Sequence, residues 1–158
     1  MRAKELMTIN PACVTPDDSA WRAAQLMSDN DCGCLPVVVS ESDGHVVGVV
    51  TDRDIALRGI REGRGPNARV RDLMTPDPHC CSTDSDIQDV ERTMADRQVR
   101  RVVIIDDDRC CVGVISQADL ARAAEHGREV SEREVARVVE RISEPSPAPR
   151  DRSVETRL

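Results

Sequence analysis

The sequence predicts an α/β (α+β) fold: two tandem β-α-β-β-α units packed as one pseudo-twofold module. Three observations predict it. Leu6-Met7-Thr8 recurs as Leu73-Met74-Thr75, and at that offset of 67 residues Cys13 falls on Cys80, Asp17 on Asp84 and Met27 on Met94. Gly48-Val49-Val50-Thr51 matches Gly113-Val114-Ile115-Ser116 at an offset of 65, so the second copy is two residues shorter near Ser42 to Gly44. Each copy also carries the same order of apolar patterns, and ordered self-similarity over some fifty positions marks a duplicated unit.

The elements follow in chain order. Short extended pieces at 13–15 and 80–82 open the two copies. Ala20, Ala23, Ala24 and Met27 recur at helical spacing, behind the N-cap candidates Asp18 and Ser19. Ile87, Val90 and Met94 repeat the pattern behind Ser85. Runs rich in Val and Ile at 35–39, 46–50, 101–105 and 111–115 read as strands. The turns between them are acidic or contain glycine: Glu41-Ser42-Asp43-Gly44 and Asp106-Asp107-Asp108. Second helices are expected over 52–60 and 117–125. A further helix over 131–142 presents Val135, Val138, Val139 and Ile142 on one face. The expected division is 1–62 for the first repeat, 63–69 for a linker, 70–126 for the second repeat, 127–143 for the C-terminal helix and 144–158 for a disordered tail. Pro145, Pro147 and Pro149 break any periodicity in that tail. Neither unit can bury its strands alone, so the two are expected to stack through their sheets.

Composition narrows the function. The chain has 158 residues, a formal charge of -7, no Phe or Tyr and one Trp, Trp21. Single-stranded nucleic-acid readers stack bases on aromatic side chains, and duplex binders need a basic surface. This acidic chain has one aromatic residue and no basic block, and although a local basic patch stays open, no nucleic-acid partner is expected. Its apolar runs are strand-length, far below the ~20 residues of a membrane helix. Residues 1–10 carry Arg2, Lys4 and Glu5 with no apolar stretch, so the reading is a cytoplasmic protein without a membrane partner. The seven cysteines are then expected as reduced thiols. Cys32-Gly33-Cys34, His79-Cys80-Cys81 and Cys110-Cys111 form no C-x-x-C pair. They read as small packing residues with no metal site, the alternative being a cysteine-based redox or metal sensor. His45, His79 and His126 sit in turns or at element ends and read as solvated. No phosphate-loop, H-E-x-x-H or G-x-S-x-G motif is present, so no catalytic residue is assigned and no enzyme is expected.

The duplicated set of Leu-Met-Thr, Gly33-Cys34-Leu35-Pro36-Val37-Val38-Val39, Gly48-Val49-Val50-Thr51-Asp52-Arg53-Asp54 and Gly113-Val114-Ile115-Ser116-Gln117-Ala118-Asp119 resembles a CBS-domain pair, or Bateman module. Gln98-Val99-Arg100-Arg101-Val102 resembles the small stand-alone bacterial CBS proteins of the hypoxic or stress-response type. The resemblance implies a non-enzymatic regulatory module that takes an adenosine-type ligand (AMP, ADP or ATP) between the repeats and needs no cofactor. It also implies a homodimer formed through the helical face that includes 20–27 and 87–94, and leaves room for a protein partner. The pattern G-h-x-[ST]-x-x-D is complete twice, and the resemblance assigns Thr51 and Ser116 to phosphate and Asp54 and Asp119 to ribose. Arg53 joins the phosphate set, Thr15 and Cys34 the base pocket. Ser82 and Arg101 are their counterparts in the second copy. The first cleft, with small Gly33 and Cys34 beside Pro36, is expected to be the better site. Two other readings compete: Thr51 and Ser116 as plain helix caps with Asp54 and Asp119 at N3, and a scaffold that binds no ligand.

Overall fold

The computed structural model describes residues 1–127 and 130–145. A 3-10 turn at Ala3–Glu5 leads to β1 (Thr8–Ile9), α1 (Ala20–Asp29), β2 (Cys34–Val38) and β3 (Val46–Thr51). The short helix α2 (Asp52–Asp54) opens into a π-helical stretch, Ile55–Ile60. The second copy follows as α3 (Val70–Leu73), β4 (Thr75–Pro76), β5 (Cys80–Ser82), α4 (Ile87–Arg97), β6 (Arg101–Ile105), β7 (Cys111–Ser116) and α5 (Gln117–Glu125), before α6 (Glu132–Ser143). The expected elements are present with small differences at their ends. The extended piece at 13–15 reduces to Val14, which bridges Val37 in parallel as β5 pairs with β6. The part of the expected tail beyond Pro145 lies outside the described residues.

The sheets do not follow the sequence repeats. One has the order β1-β7-β6-β5 and the other β2-β3-β4. Thus β1 of the first copy pairs with β7 of the second, and β4 of the second pairs with β3 of the first. Each opening segment is also tied to the first-helix start of the other copy: Ile87 N–H donates to Met1 O at 3.0 Å, and Ala20 N–H to Ala68 O at 2.8 Å. The cores record the same exchange. Val70 and Leu73 are buried with Val14, Ala23, Leu35 and Val50. Ala3 is buried with Val90, Met94, Ile104 and Leu120.

The repeated motifs explain why the exchange holds. A Cβ added to Gly113 on β7 would stand 2.4 Å from Met7 Sδ, and one added to Gly48 on β3 would stand 2.7 Å from Met74 Sδ. The methionine of each Leu-Met-Thr therefore lies on the glycine of the other copy, where a side chain would fit only if the methionine shifted. Both motifs are visible in the sequence, but their being the two halves of one contact is not.

Both faces of β2 and β6 are covered. Leu35, Val37, Val102 and Ile104 belong to the two cores. Val38 and Val103, which belong to neither, are also buried, at 4% and 3% exposure. Side chains alternate along a strand, so the second faces meet the other repeat. The hairpin tips complete this junction, with Val46 N–H donating to Arg109 O at 3.2 Å and Cys111 N–H to Gly44 O at 2.9 Å.

The helical layer is not symmetric. Ser131 caps α6 in a reciprocal box with Glu134, and Val138 and Ile142 join Val90 and Met94 in the second core. The chain's own last helix thus covers α4. Glu91 is buried on α4, and among the described residues its Oε1 has no hydrogen-bond partner. Burial and the nearby Glu134 push its carboxyl up. In the first repeat Trp21 and Ile60 stay 60% and 73% exposed.

Candidate functional site

Both strand-to-helix turns carry a full reciprocal box. Thr51 Oγ1 accepts from Asp54 N–H at 3.1 Å and donates to Asp54 Oδ2 at 2.7 Å, and the same carboxylate oxygen accepts Thr51 N–H at 3.0 Å. Ser116 and Asp119 repeat this at 3.3, 2.6 and 2.7 Å. These are capping boxes that satisfy amides left free at a helix start. One oxygen of each aspartate is thereby committed. The other faces an arginine: Asp54 Oδ1 lies 3.6 Å from Arg58 Nε, and Asp119 Oδ1 pairs with Arg122. The carboxylates are only 16% and 13% exposed.

The two arginines differ in how they are held. Arg58 Nη1 also donates to the carbonyls of Leu73 and Met74, at 2.8 and 2.9 Å. It therefore spans the space between its helix and the exchanged opening segment. The 65-residue offset puts Ala123 at the matching position of the second copy. There a cavity of about 270 Å³ is open, lined by Leu6, Asp119, Arg122, Ala123 and His126. Arg122 is 63% exposed, against 43% for Arg58. The sequence signal for this difference was the mismatch of Arg58 with Ala123, which lies outside the G-h-x-[ST]-x-x-D pattern.

The remaining expected site residues fall in different places. Arg101 reaches across the repeat junction. A Cβ built on Gly33 would stand 3.5 Å from Arg101 Nη2 and 2.7 Å from Asp52 Oδ2. Cys34, Asp52 and Arg101 thus gather around Gly33, and Arg101 serves the first copy's face as much as its own. Asp52, unassigned from sequence, belongs to this group. Thr15 is half-buried, and its N–H and hydroxyl both donate to Asp18 Oδ2, at 2.7 and 3.0 Å. Arg53 is exposed. Ser82 is also exposed, and its hydroxyl accepts from Asp84 N–H at 3.3 Å.

All seven cysteines are free thiols. Burial pushes the Cys34 thiol up to about 11; Arg101 pulls against this, and Cys32, Asp54 and Asp52 add to it. Cys34 is therefore a neutral, weakly polar wall near neutral pH. A hydrogen bond with Cys111 lowers the Cys13 thiol, and the same bond raises that of Cys111.

A pH test follows from Cys34. The folded state holds its proton above the ordinary value of 9.0. That contribution is fully present below pH 9 and is lost as pH rises through about 11. Holding the proton that much more tightly corresponds to about 2–3 kcal/mol. Thermal melts are expected to lose stability between pH 9 and 11, with a visibly shallower loss in Cys34→Ala. Cys80, also pushed up to about 11 by burial, and Cys81, Cys110 and Cys111, whose thiols are raised as well, supply the part that remains. An identical pH profile for Cys34→Ala would contradict this assignment.

The CBS domain profile matches residues 3–59 and 70–126. The chain belongs to the CBS domain family. Hypoxic response protein 1 of Mycobacterium tuberculosis is 34% identical over 121 residues, covering 76% of this chain and 82% of that protein. A crystal structure of Hypoxic Response Protein I with two coordinated zinc ions superposes with a TM-score of 0.70 at 32% identity, covering 77% of this chain and 98% of that one. CBSX2 of Arabidopsis thaliana in complex with AMP superposes with a TM-score of 0.69 at 26% identity, covering 79% and 96%. The CBS pair of this chain thus has the fold and the repeat arrangement of these proteins. Among the described residues no helix is long and apolar enough to cross a membrane.

Proposed function

We propose that this CBS pair is a non-enzymatic regulatory module that binds an adenosine-type ligand of the AMP, ADP or ATP class, with the Asp119 side filled first. The observation that carries this reading is the open cavity against Asp119, at the position where Arg58 fills the first copy. Releasing Asp119 from exposed Arg122 frees a carboxylate oxygen that can accept hydrogen bonds from a ribose diol. Arg122 and His126 then flank the opening as donors for a phosphate. Ser116 and the helix start favour an anion. Arg101 beside Gly33 offers a second charge for phosphate at the repeat junction. The AMP complex of CBSX2 supports the ligand class. This order reverses the one expected from the small residues of the first cleft, because Arg58 is held by two carbonyls as well as by Asp54.

Calorimetric titration with AMP, ADP, ATP, NAD and S-adenosylmethionine tests the reading. Saturable heat is expected with at least one of the adenine nucleotides and no turnover. A ligand that binds only the folded chain also raises the melting temperature by mass action. Absence of heat with all five would leave the capping boxes as the whole role of these residues. Nucleotide hydrolysis would overturn the regulatory reading.

A homodimer is part of the proposal. The α4 face expected to contribute is covered by α6, so the supporting surface is narrower than the sequence implied. It is the first-repeat patch of exposed Trp21, Leu57 and Ile60. Closed twofold pairing is the commonest assembly for such a face. Light scattering at micromolar concentration is expected to give twice the single-chain mass, and Trp21→Glu with Ile60→Glu to give the single-chain mass. A monomeric parent protein would remove the dimer from the proposal.

A further inference from the structure

The two hairpin tips meet at the pseudo-twofold axis. An offset of 65 carries His45 onto Cys110, and these two residues form an antiparallel bridge with each other. The flanking backbone bonds, Val46 N–H to Arg109 O and Cys111 N–H to Gly44 O, fix the junction on both sides. This pairing gathers the carboxylate of Asp43, the imidazole of His45 and the thiol of Cys110, with one ligand atom from each lying within 4.8 Å of the others. Gly44 lies against the thiol, since a Cβ there would stand 3.8 Å from Cys110 Sγ. The backbones that carry these groups are held by local bonds. Asp43 Oδ1 accepts His45 N–H at 3.1 Å, Asp43 N–H donates to Ser40 Oγ at 3.0 Å, and Asp106 Oδ1 accepts Cys110 N–H at 2.8 Å.

We propose that this junction binds a divalent metal ion of the zinc type, with Asp43, His45 and Cys110 as ligands. One oxygen, one nitrogen and one sulfur suit a borderline-soft ion, whereas magnesium and calcium select oxygen alone. Tetrahedral zinc with bonds of about 2.0–2.3 Å places its ligand atoms about 3.3–3.8 Å apart. Side-chain rotation closes the remaining gap without moving the paired backbone. Three protein ligands leave the fourth position to water. Binding replaces the thiol proton: the ion gains a thiolate bond and one proton passes to solvent. Charge favours the ion as well. The two tips carry Glu41, Asp43, Asp106, Asp107 and Asp108 against Arg109 alone.

The site is separate from the nucleotide reading. It lies at the start of β3 and β7, while Thr51 and Ser116 lie at their ends. Five residue steps along a strand span about 17 Å. A metal here would clamp one repeat to the other at the end of the junction away from the capping boxes.

The test uses the full chain, reduced and freed of metal with a chelator, then titrated with Co²⁺. One equivalent is expected to bind, with a thiolate-to-cobalt charge-transfer absorption that Zn²⁺ displaces. Cys110→Ala is expected to abolish that absorption, and His45→Gln and Asp43→Asn each to weaken binding at least tenfold. Adenine-nucleotide heats are expected to be unchanged in all three variants. Circular dichroism matching the parent protein establishes that the variants are folded. A parent protein without the absorption, or an absorption that survives in Cys110→Ala, would overturn the proposal. Survival would mean that other cysteines hold the ion.

Discussion

Asp119→Ala is expected to weaken adenine-nucleotide binding ten- to a hundredfold, and Asp54→Ala to change it by less than about threefold. The magnitude follows from the bond removed: a hydrogen bond to a charged group is worth about 1.5–3 kcal/mol, and about 1.4 kcal/mol is a factor of ten. The asymmetry follows from the partners. Asp119 gives up only exposed Arg122, whereas Asp54 shares Arg58 with the carbonyls of Leu73 and Met74. Two further variants separate occupancy from chemistry. Ala123→Arg is expected to close the second-copy cavity and remove the heat of binding. Arg58→Ala is expected to open the matching space and raise the stoichiometry from one site per chain toward two. Because either aspartate also belongs to a capping box, each alanine variant should lose stability whether or not ligand is present. Calorimetry on the folded variants is therefore the decisive measurement, not the melting temperature alone. A larger effect from Asp54→Ala would return the primary site to the first cleft.

The largest loss of stability is expected from Gly113→Val. A Cβ at that position already falls 2.4, 2.8 and 3.0 Å from Met7 Sδ, Cγ and Cβ. Overpacking at a closed contact costs about 1–3 kcal/mol, and Val adds two methyl groups beyond the Cβ. The clash lies where β1 pairs with β7, Ile9 opposite Gly113, so it acts on the exchanged strand. The milder Gly113→Ala tests the cause. Combined with Met7→Ala it should recover part of the loss, because neighbours that collide are not additive; a coupling of about 0.5–3 kcal/mol is expected. Gly48→Ala should recover less with Met74→Ala, since its Cβ also meets the carbonyl of Thr75 at 3.1 Å, and backbone cannot swing away. Additive losses in Met7→Ala and Gly113→Ala would mean that the methionine and the glycine act separately.

The capping boxes show how far a local pattern carries. Thr51 with Asp54 and Ser116 with Asp119 were legible as caps, because a cap joins residues three apart at a strand-to-helix turn. Their surroundings were not legible in the same way. Arg58 reaches residues fifteen and sixteen positions away, and Arg101 reaches Gly33 across the junction. Neither contact has a spacing that sequence periodicity can register. His45 and Cys110 illustrate the same limit. In the sequence His45 is a turn residue and Cys110 one of an adjacent cysteine pair, and the two become partners only when the tips are paired.

The duplication, the strand and helix order, the turn chemistry and the aliphatic core were determined by the sequence by itself, since each depends on neighbours within a few residues or on a repeated offset. Only the tertiary structure decided which strand pairs with which. The two opening segments have nearly the same Leu-Met-Thr sequence, so either could in principle lie on either glycine. The exchange resolves this degeneracy by joining the copies. It puts Met7 on Gly113, Met74 on Gly48, Ala3 in the second core and Leu73 in the first. Such long-range pairing depends on which faces meet once both sheets are buried, and no local pattern encodes that choice.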